Sequence, residues 1–369
     1  MTSRRLLVTY DLRLAPRESV RTKAEGIARE QTVELDLALV PPALRVEVAG
    51  RVEQVSELGP RRARAVLSYP VAAAAGDLPQ LLNLLFGNVS MQSGVRIAAI
   101  EWPGELLAGF AGPRFGIPGL RELLRAPGRP LLCAALKPLG LAPRELADLA
   151  GRLARGGVDL IKDDHSLADQ RWAAFDERVT RCQEAVAGAN AATNGRSLYL
   201  PNLTGPADRL AGRAERARAL GCRAALIAPL LVGLDSVRAL AAASGLALIG
   251  HPSLTGGLLG RAHGIAPALV WGDLFRLAGC DGVVYPNAGG RFRYSLRECL
   301  EVADHLRHPL GGLRPAFPVL GGGMDAAKVR RWRRVYGDDT VFLLGGSLLG
   351  QADVEAGARA LRAQVEETR

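Results

Sequence analysis

Cysteine is sparse in this chain: 369 residues contain five, at Cys133, Cys182, Cys222, Cys280 and Cys299, and no two form a CxxC pair. An odd, scattered set excludes a disulfide framework and a zinc knuckle, and makes a reducing cytoplasm the expected compartment. Long apolar runs are missing too. None approaches the roughly 18 residues that a membrane span needs, and Met1–Leu6 lacks the apolar core of an export signal. Lysine is the third scarcity. Lys23, Lys137, Lys162 and Lys328 are all there are among 47 basic residues. Arginine keeps its proton under all working conditions, whereas a buried lysine can release it, so these lysines are the first candidates for proton chemistry.

What is abundant is arginine, and the net charge is +10. The arginines are spread along the chain. The densest cluster, Lys328–Arg334, reads as the solvated face of a helix, so no nucleic-acid partner is expected. A balance of 48% hydrophobic and 23% charged residues is that of a globular chain, long enough for a barrel and a smaller domain.

From about Pro130, eight short apolar runs alternate with amphipathic stretches such as Pro143–Arg155 and Ala326–Tyr336. The runs are Pro130–Lys137, Val158–Lys162, Ser197–Asn202, Ala224–Leu231, Leu246–His251, Gly282–Asn287, Phe317–Gly321 and Thr340–Gly345. Strands alternating with helices pair in parallel, and eight such units predict an α/β fold, a (β/α)8 TIM barrel. A doubly wound open sheet is the alternative, but its switch-point fingerprint is missing. Before the barrel come a strand at Leu6–Arg13, a helix at Arg17–Gln31, strands at Arg45–Val55 and Ala63–Val71, a helix at Leu78–Phe86 and a strand at Gly94–Ile100. That βαββαβ order predicts an N-terminal ferredoxin-like α+β domain over residues 1–125, with the barrel over 126–369. The Gly- and Pro-rich Arg114–Arg129 reads as a linker.

A barrel of this kind does its chemistry at the C-terminal ends of its strands. Lys137, the run Lys162-Asp163-Asp164-His165, Asn202, His251, and Asn287 followed by Gly289-Gly290-Arg291 fall there. The last two strands run into Gly321-Gly322-Gly323 and Gly345-Gly346-Ser347. Glycines at those positions expose backbone N–H groups that can cradle a phosphate; the plainer reading is that they only make tight turns. Asp164 and His165 together can hold a divalent cation. Lys162 joins them only as an acid, for example as a carbamate formed with CO2. The plainer reading here is a surface turn with an ion pair. His251 is either functional or a satisfied buried histidine. His263, His305 and His308 read as structural, and Trp172, Trp271 and Trp332 as packing.

Leu136-Lys137-Pro138-Leu139-Gly140-Leu141 resembles the first-strand lysine motif of the RuBisCO large-chain family. Gly156–Asp164 resembles its segment carrying the carbamylated lysine and metal carboxylates. Pro318–Gly323 and Leu344–Ser347 resemble its phosphate loops, and Glu30-Gln31-Thr32 and Gly87-Asn88-Val89 the segments that reach a neighbouring subunit's site. The resemblance implies a homodimer with shared active sites, Mg2+ or another divalent cation, and a phosphorylated sugar or sugar-acid substrate. It implies Lys137, Lys162 and His251 as catalytic groups, and Lys162 (as a carbamate), Asp164 and His165 as metal ligands. Asn88, Asn202, Arg291, Gly321, Gly322, Gly323, Gly345 and Gly346 would bind the substrate and its phosphate.

The sequence departs from the carboxylase at three places. Leu139 stands where a second lysine is expected, His165 where a metal-binding glutamate is, and the loop Asn287–Arg293 has no lysine. The pattern resembles that of the RuBisCO-like proteins, which implies an enediolate formed without CO2 fixation. Lys162–Gln170 resembles most the apiose-catabolism group, the 3-oxo-isoapionate-4-phosphate decarboxylases, so decarboxylation of a phosphorylated 3-oxo sugar acid is the first expectation. Isomerisation or enolisation of a (methylthio)pentulose phosphate is the alternative, and a non-catalytic sugar-phosphate binder is the alternative of another class.

Overall fold

Leu6, Val8, Tyr10 and Leu12 alternate with more exposed residues along β1 (Arg5–Arg13), so every second side chain is buried. The computed structural model describes residues 5–367; the start of the chain, read above for an export signal, lies partly outside them. β2 (Arg51–Gly59), β3 (Arg62–Pro70) and β4 (Val95–Glu101) join β1 in an antiparallel sheet of order β4-β1-β3-β2, the ferredoxin-like order. Its helices, Val20–Glu30 and Leu78–Phe86, are capped by Ser19 and Asp77 and bury Ala24 and Ile27, and Leu81 and Leu85. The Tyr10 hydroxyl donates to the Leu85 carbonyl at 2.8 Å. A two-residue strand from far along the chain, β10 (Gly264–Ile265), extends the sheet beside β4. This compact unit takes in the residues up to Ala111 together with 254–270 and 309–313.

One expected strand is partly a helix. Leu44, Val46 and Val48 alternate as a strand would, yet all three are exposed, and Pro42–Val48 is helical before β2 begins at Arg51. Pro42 at the first helical position presets the backbone there, and no sheet face captures the alternating residues.

The second unit is the barrel. Its strands are β5 (Leu131–Leu136), β6 (Leu160–Asp163), β7 (Leu198–Leu200), β8 (Ala224–Ile227), β9 (Ala247–Gly250), β11 (Gly282–Pro286), β12 (Phe317–Met324) and β13 (Val341–Leu344). They pair in parallel in the order β7-β6-β5-β13-β12-β11-β9-β8. An Asn202–Leu226 bridge joins β7 to β8 and closes the ring. The helices Pro143–Arg155 and Ala326–Tyr336 fall where periodicity places them. Inward side chains, among them Leu131, Cys133, Leu160, Leu226, Ile249 and Phe317, form one core.

The stretch expected to be a linker closes the bottom of that core. Gly116–Leu124 is a helix whose Ile117, Leu120 and Leu124 pack into the barrel interior. Buried Asp281 anchors its start, accepting the N–H groups of Phe115 at 2.6 Å and Gly116 at 2.7 Å. Asp159, also at the N-terminal ends of the strands, is held similarly. Both nitrogens of Arg129 donate to it at 2.9 and 2.6 Å, and Leu132 N and Arg362 donate as well. Asp159→Ala would strand a buried guanidinium, which costs about 3–5 kcal/mol. The urea midpoint should fall accordingly at unchanged slope. A loss within experimental error would show the pair to be dispensable. Among the described residues no helix is long and apolar enough to cross a membrane, and all five cysteines are free and buried.

Candidate active site

Strand alternation decides which side chains meet. Leu131 and Cys133 point into the barrel, so Lys137 emerges on the same side beyond the end of β5; Leu160 points inward, so Lys162 and Asp164 do as well. The pairing Ala135↔Lys162 and Leu136↔Asp163 sets Lys137 beside Asp164. Their ion pair measures 2.6 Å, Lys137 Nζ to Asp164 Oδ2. Asp163 faces the other way. It accepts from Arg178 Nε, the Tyr199 hydroxyl and Asn202 N at 3.1, 2.8 and 3.0 Å, so it braces the strand and is spent structurally.

Lys162 is 2% exposed, and its Nζ donates to the Asp163 carbonyl at 2.8 Å. Burial holds its amine below the usual lysine range, against the opposing pull of Asp164 and Asp163. Burial would push the Asp164 carboxyl up, but the Lys137 hydrogen bond, the Ser166 N–H and the charge of Lys162 win and hold it below the usual carboxylate range. His165 Nδ1 lies 3.2 Å from Asp164 Oδ1, and its ring stacks on that of His251 with centroids 4.6 Å apart and planes 5° from parallel. Burial drives His251 down to about 2, helped by the charge of Lys162. His165 is lowered as well, by burial first, with Lys162, Lys137 and Arg291 adding to it against the opposing pull of Asp164. The stacked rings are therefore neutral at pH 7. Ser253 Oγ sits 2.8 Å from His251 Nδ1 and orients it.

The other expected residues divide. Asn202 is buried, and its amide donates to the carbonyls of His165 and Leu167 at 3.0 and 2.8 Å. Its donors hold the loop that carries His165 in place of the expected substrate contact. Arg291 is exposed over the Phe292 ring, close enough for its charge to act on His165. Gly321 is buried within β12, whereas Gly322 and Gly323 are accessible at φ of +93° and +71°. Gly345 and Gly346 open a short helix, and a Cβ built on Gly322, Gly345 or Gly346 meets nothing within 4 Å. Asn88 belongs to the N-terminal unit, where it donates to Glu30 at 3.1 Å. Trp271 and Trp332 are core residues, but Trp172, expected to pack, is 49% exposed.

Asn287 is by sequence only the end of a strand, yet it belongs with the site. The Tyr336 hydroxyl fixes its Oδ1 at 2.7 Å, while its buried Nδ2 has no hydrogen-bond partner among the described residues. A buried amide fixed at one end and vacant at the other is suited to a substrate oxygen. Alternation could not have found it, because its orientation is set by a tyrosine at the end of Ala326–Tyr336, the helix that follows β12.

The donors also fit a divalent cation. Asp164 Oδ1 and His165 Nδ1 lie one ligand edge apart, stacking fixes the His165 ring, and buried Lys162 shares their side of the strand.

The family model described as ribulose bisphosphate carboxylase large chain, catalytic domain, matches residues 116–368. The chain belongs to the RuBisCO large-chain family. The 5-methylthioribulose-1-phosphate isomerase of Rhodospirillum rubrum is 42% identical to it, over 95% of this chain and 92% of that one. The 2,3-diketo-5-methylthiopentyl-1-phosphate enolase of Geobacillus kaustophilus is 36% identical, over 94% and 89%. The solved structure of a Rubisco-like protein from Rhodopseudomonas palustris is 39% identical, covers 99% of both chains and superposes with a TM-score of 0.90. The similarity is thus to RuBisCO-like proteins, and the reactions named for two of these relatives are an isomerisation and an enolisation. They back the isomerase or enolase alternative over the decarboxylase first expected from Lys162–Gln170. Within the RuBisCO frame, Leu139 is 48% exposed beside Lys137, an apolar group where the carboxylase pattern has an amine.

Proposed function

We propose that this RuBisCO-like protein enolises a phosphorylated ketose, and that its reaction is an isomerisation of the 5-methylthioribulose 1-phosphate type. The observation that carries this reading is the meeting of Lys137, Lys162, Asp164 and the stacked His165–His251 pair on one side of the β5–β6 strand ends. A divalent ion held by Asp164, His165 and a Lys162 carbamate would supply positive charge to the substrate's oxygens. Lys137, 44% exposed, carries a proton where the substrate's carbonyl oxygen gains charge. As a base removes the proton on the neighbouring carbon, the C–H electrons form the enediolate double bond and the carbonyl electrons move to oxygen. Returning a proton to the adjacent carbon completes an isomerisation. Neutral His251 and the Asn287 amide hold the substrate's hydroxyl groups.

Proton NMR of 5-methylthioribulose 1-phosphate in heavy water tests the reading. Deuterium is expected at a carbon next to the carbonyl, with a second ketose or aldose appearing. Binding without exchange would make the protein a sugar-phosphate binder. Release of CO2 from a phosphorylated 3-oxo sugar acid would restore the decarboxylase reading.

The glycine loops after β12 and β13 take the phosphate in this proposal. Gly322 has a positive φ, so Gly322→Ala strains the loop and moves its N–H groups. Losing one charge-assisted bond, worth roughly 1.5–3 kcal/mol, raises KM by ~10- to 100-fold. Equal effects on a dephosphorylated substrate would reduce these glycines to turn formers.

The site is also completed by a second copy in this proposal, through Glu30 and Asn88. A Lys162→Ala subunit mixed with an Asn88→Ala subunit should then recover up to about a quarter of wild-type activity through one intact hybrid site per mixed dimer. Verified mixed dimers without recovery would remove the shared site.

A further inference from the structure

Away from the barrel mouth, two of the five histidines meet a buried carboxylate. Asp273 lies on the π-helical turn Ala268–Leu274, and His305 and His308 lie in and just after the last turn of the helix Leu296–Arg307. That helix follows β11 and returns to the start of β12, so its last turn is at the N-terminal end of the barrel, opposite Asp164 and His165. We propose that Asp273, His305 and His308 form a binding site for a divalent transition-metal ion, separate from the catalytic centre.

The donor set is of the right kind: two imidazoles and one carboxylate suit zinc, nickel or cobalt better than magnesium. Donor atoms of all three residues lie within 4.8 Å of one another. His305 Nδ1 and Asp273 Oδ1 are 2.9 Å apart, the edge expected for bonds of about 2.05 Å meeting near ~90°. The tautomer of His308 is also set. Its Nδ1 lies 3.1 Å from the Asp304 carbonyl, which can only accept, so Nδ1 carries the proton and Nε2 offers its lone pair. A backbone carbonyl behind a histidine is a common support for a metal ligand. The rings of His305 and His308 are 5.0 Å apart and nearly perpendicular, and the half-exposed His308 can swing to close the triangle.

The backbone is built for this approach. Arg276 donates to the carbonyls of both His305 and His308, at 3.1 and 2.8 Å, and fixes the turn that presents them. A Cβ on Gly272 would overlap that of His305, so glycine there lets the two helices come together beside Asp273.

The test uses the full chain, stripped with chelator and titrated calorimetrically with Co2+ in excess Mg2+. His308→Ala changes a half-exposed residue, and His165→Ala serves as the control for the barrel mouth. Wild type and His165→Ala should retain a Co2+ site that His308→Ala weakens about tenfold or more. With Mg2+ in excess to occupy the barrel mouth, Co2+ should raise the melting temperature of wild type and His165→Ala more than that of His308→Ala. Either of two results would overturn the proposal: no Co2+ bound by wild type, or Co2+ binding unchanged in a His308→Ala protein whose circular dichroism shows it folded.

Discussion

Lys137→Ala should lower turnover by ~10²–10⁴-fold while KM moves only a few-fold, the signature of a group that acts in the transition state. The amine is exposed enough to reach a substrate oxygen, and its position is fixed by the 2.6 Å pair with Asp164. The pair has a second consequence, visible in pH. Asp164 is held below the usual carboxylate range, with Lys137 the largest of the opposing influences to its burial. Without Lys137 the buried carboxyl rises, so it takes up a proton at higher pH. The acidic limb of the rate profile should therefore move upward. Lys137→Arg separates the two roles. It keeps the charge beside Asp164, and so the acidic limb, but cannot give up its proton, so turnover should stay low. Turnover within threefold of wild type in both variants would take Lys137 out of the chemistry.

Ribulose 1,5-bisphosphate supplied with labelled bicarbonate should yield no fixed carbon above a heat-killed control. The addition of CO2 to an enediolate needs cations placed to receive a new carboxylate. Leu139 presents a hydrocarbon beside Lys137, and the Asn287–Arg293 loop offers only arginines, with Arg291 lying over Phe292. If the proposed site holds a metal, His165 in place of a carboxylate makes its ligand set one negative charge poorer. On the proposed reading these differences leave enolisation in place and remove the means of capturing CO2. Acid-stable labelled product from the wild-type chain would overturn this. Deuterium exchange without carboxylation is the expected pairing.

Much of this site is legible in the residues alone. A two-residue period carries its own geometry, so eight apolar runs are enough to predict parallel strands, and their last residues identify the rim. Lys137 and Lys162 stand out because lysine is rare here and both end strands. The same period also distinguishes two adjacent carboxylates. Leu160, Lys162 and Asp164 share a face, and Asp163 must oppose it. Composition is a poorer guide where an element's partner is remote in sequence. Arg114–Arg129 reads as a linker from its glycines and prolines, although Ile117, Leu120 and Leu124 follow a helical spacing. Only the open base of the barrel gives that stripe a core to cover.

Strand end and residue type, both local properties, thus place Lys137, Lys162, Asp164, His165, His251 and the glycine loops from the sequence by itself. Tertiary structure alone decided what each side chain does there. Asn202 turned to the His165 loop, and the Tyr336 hydroxyl fixed Asn287 across 49 residues. Packing stacked His165 on His251 and brought Asp273 to His305 across 32 residues. The reason is physical. A backbone period fixes the direction of a side chain, but its hydrogen-bond partner, its burial and hence its charge depend on segments that only the closed barrel brings together.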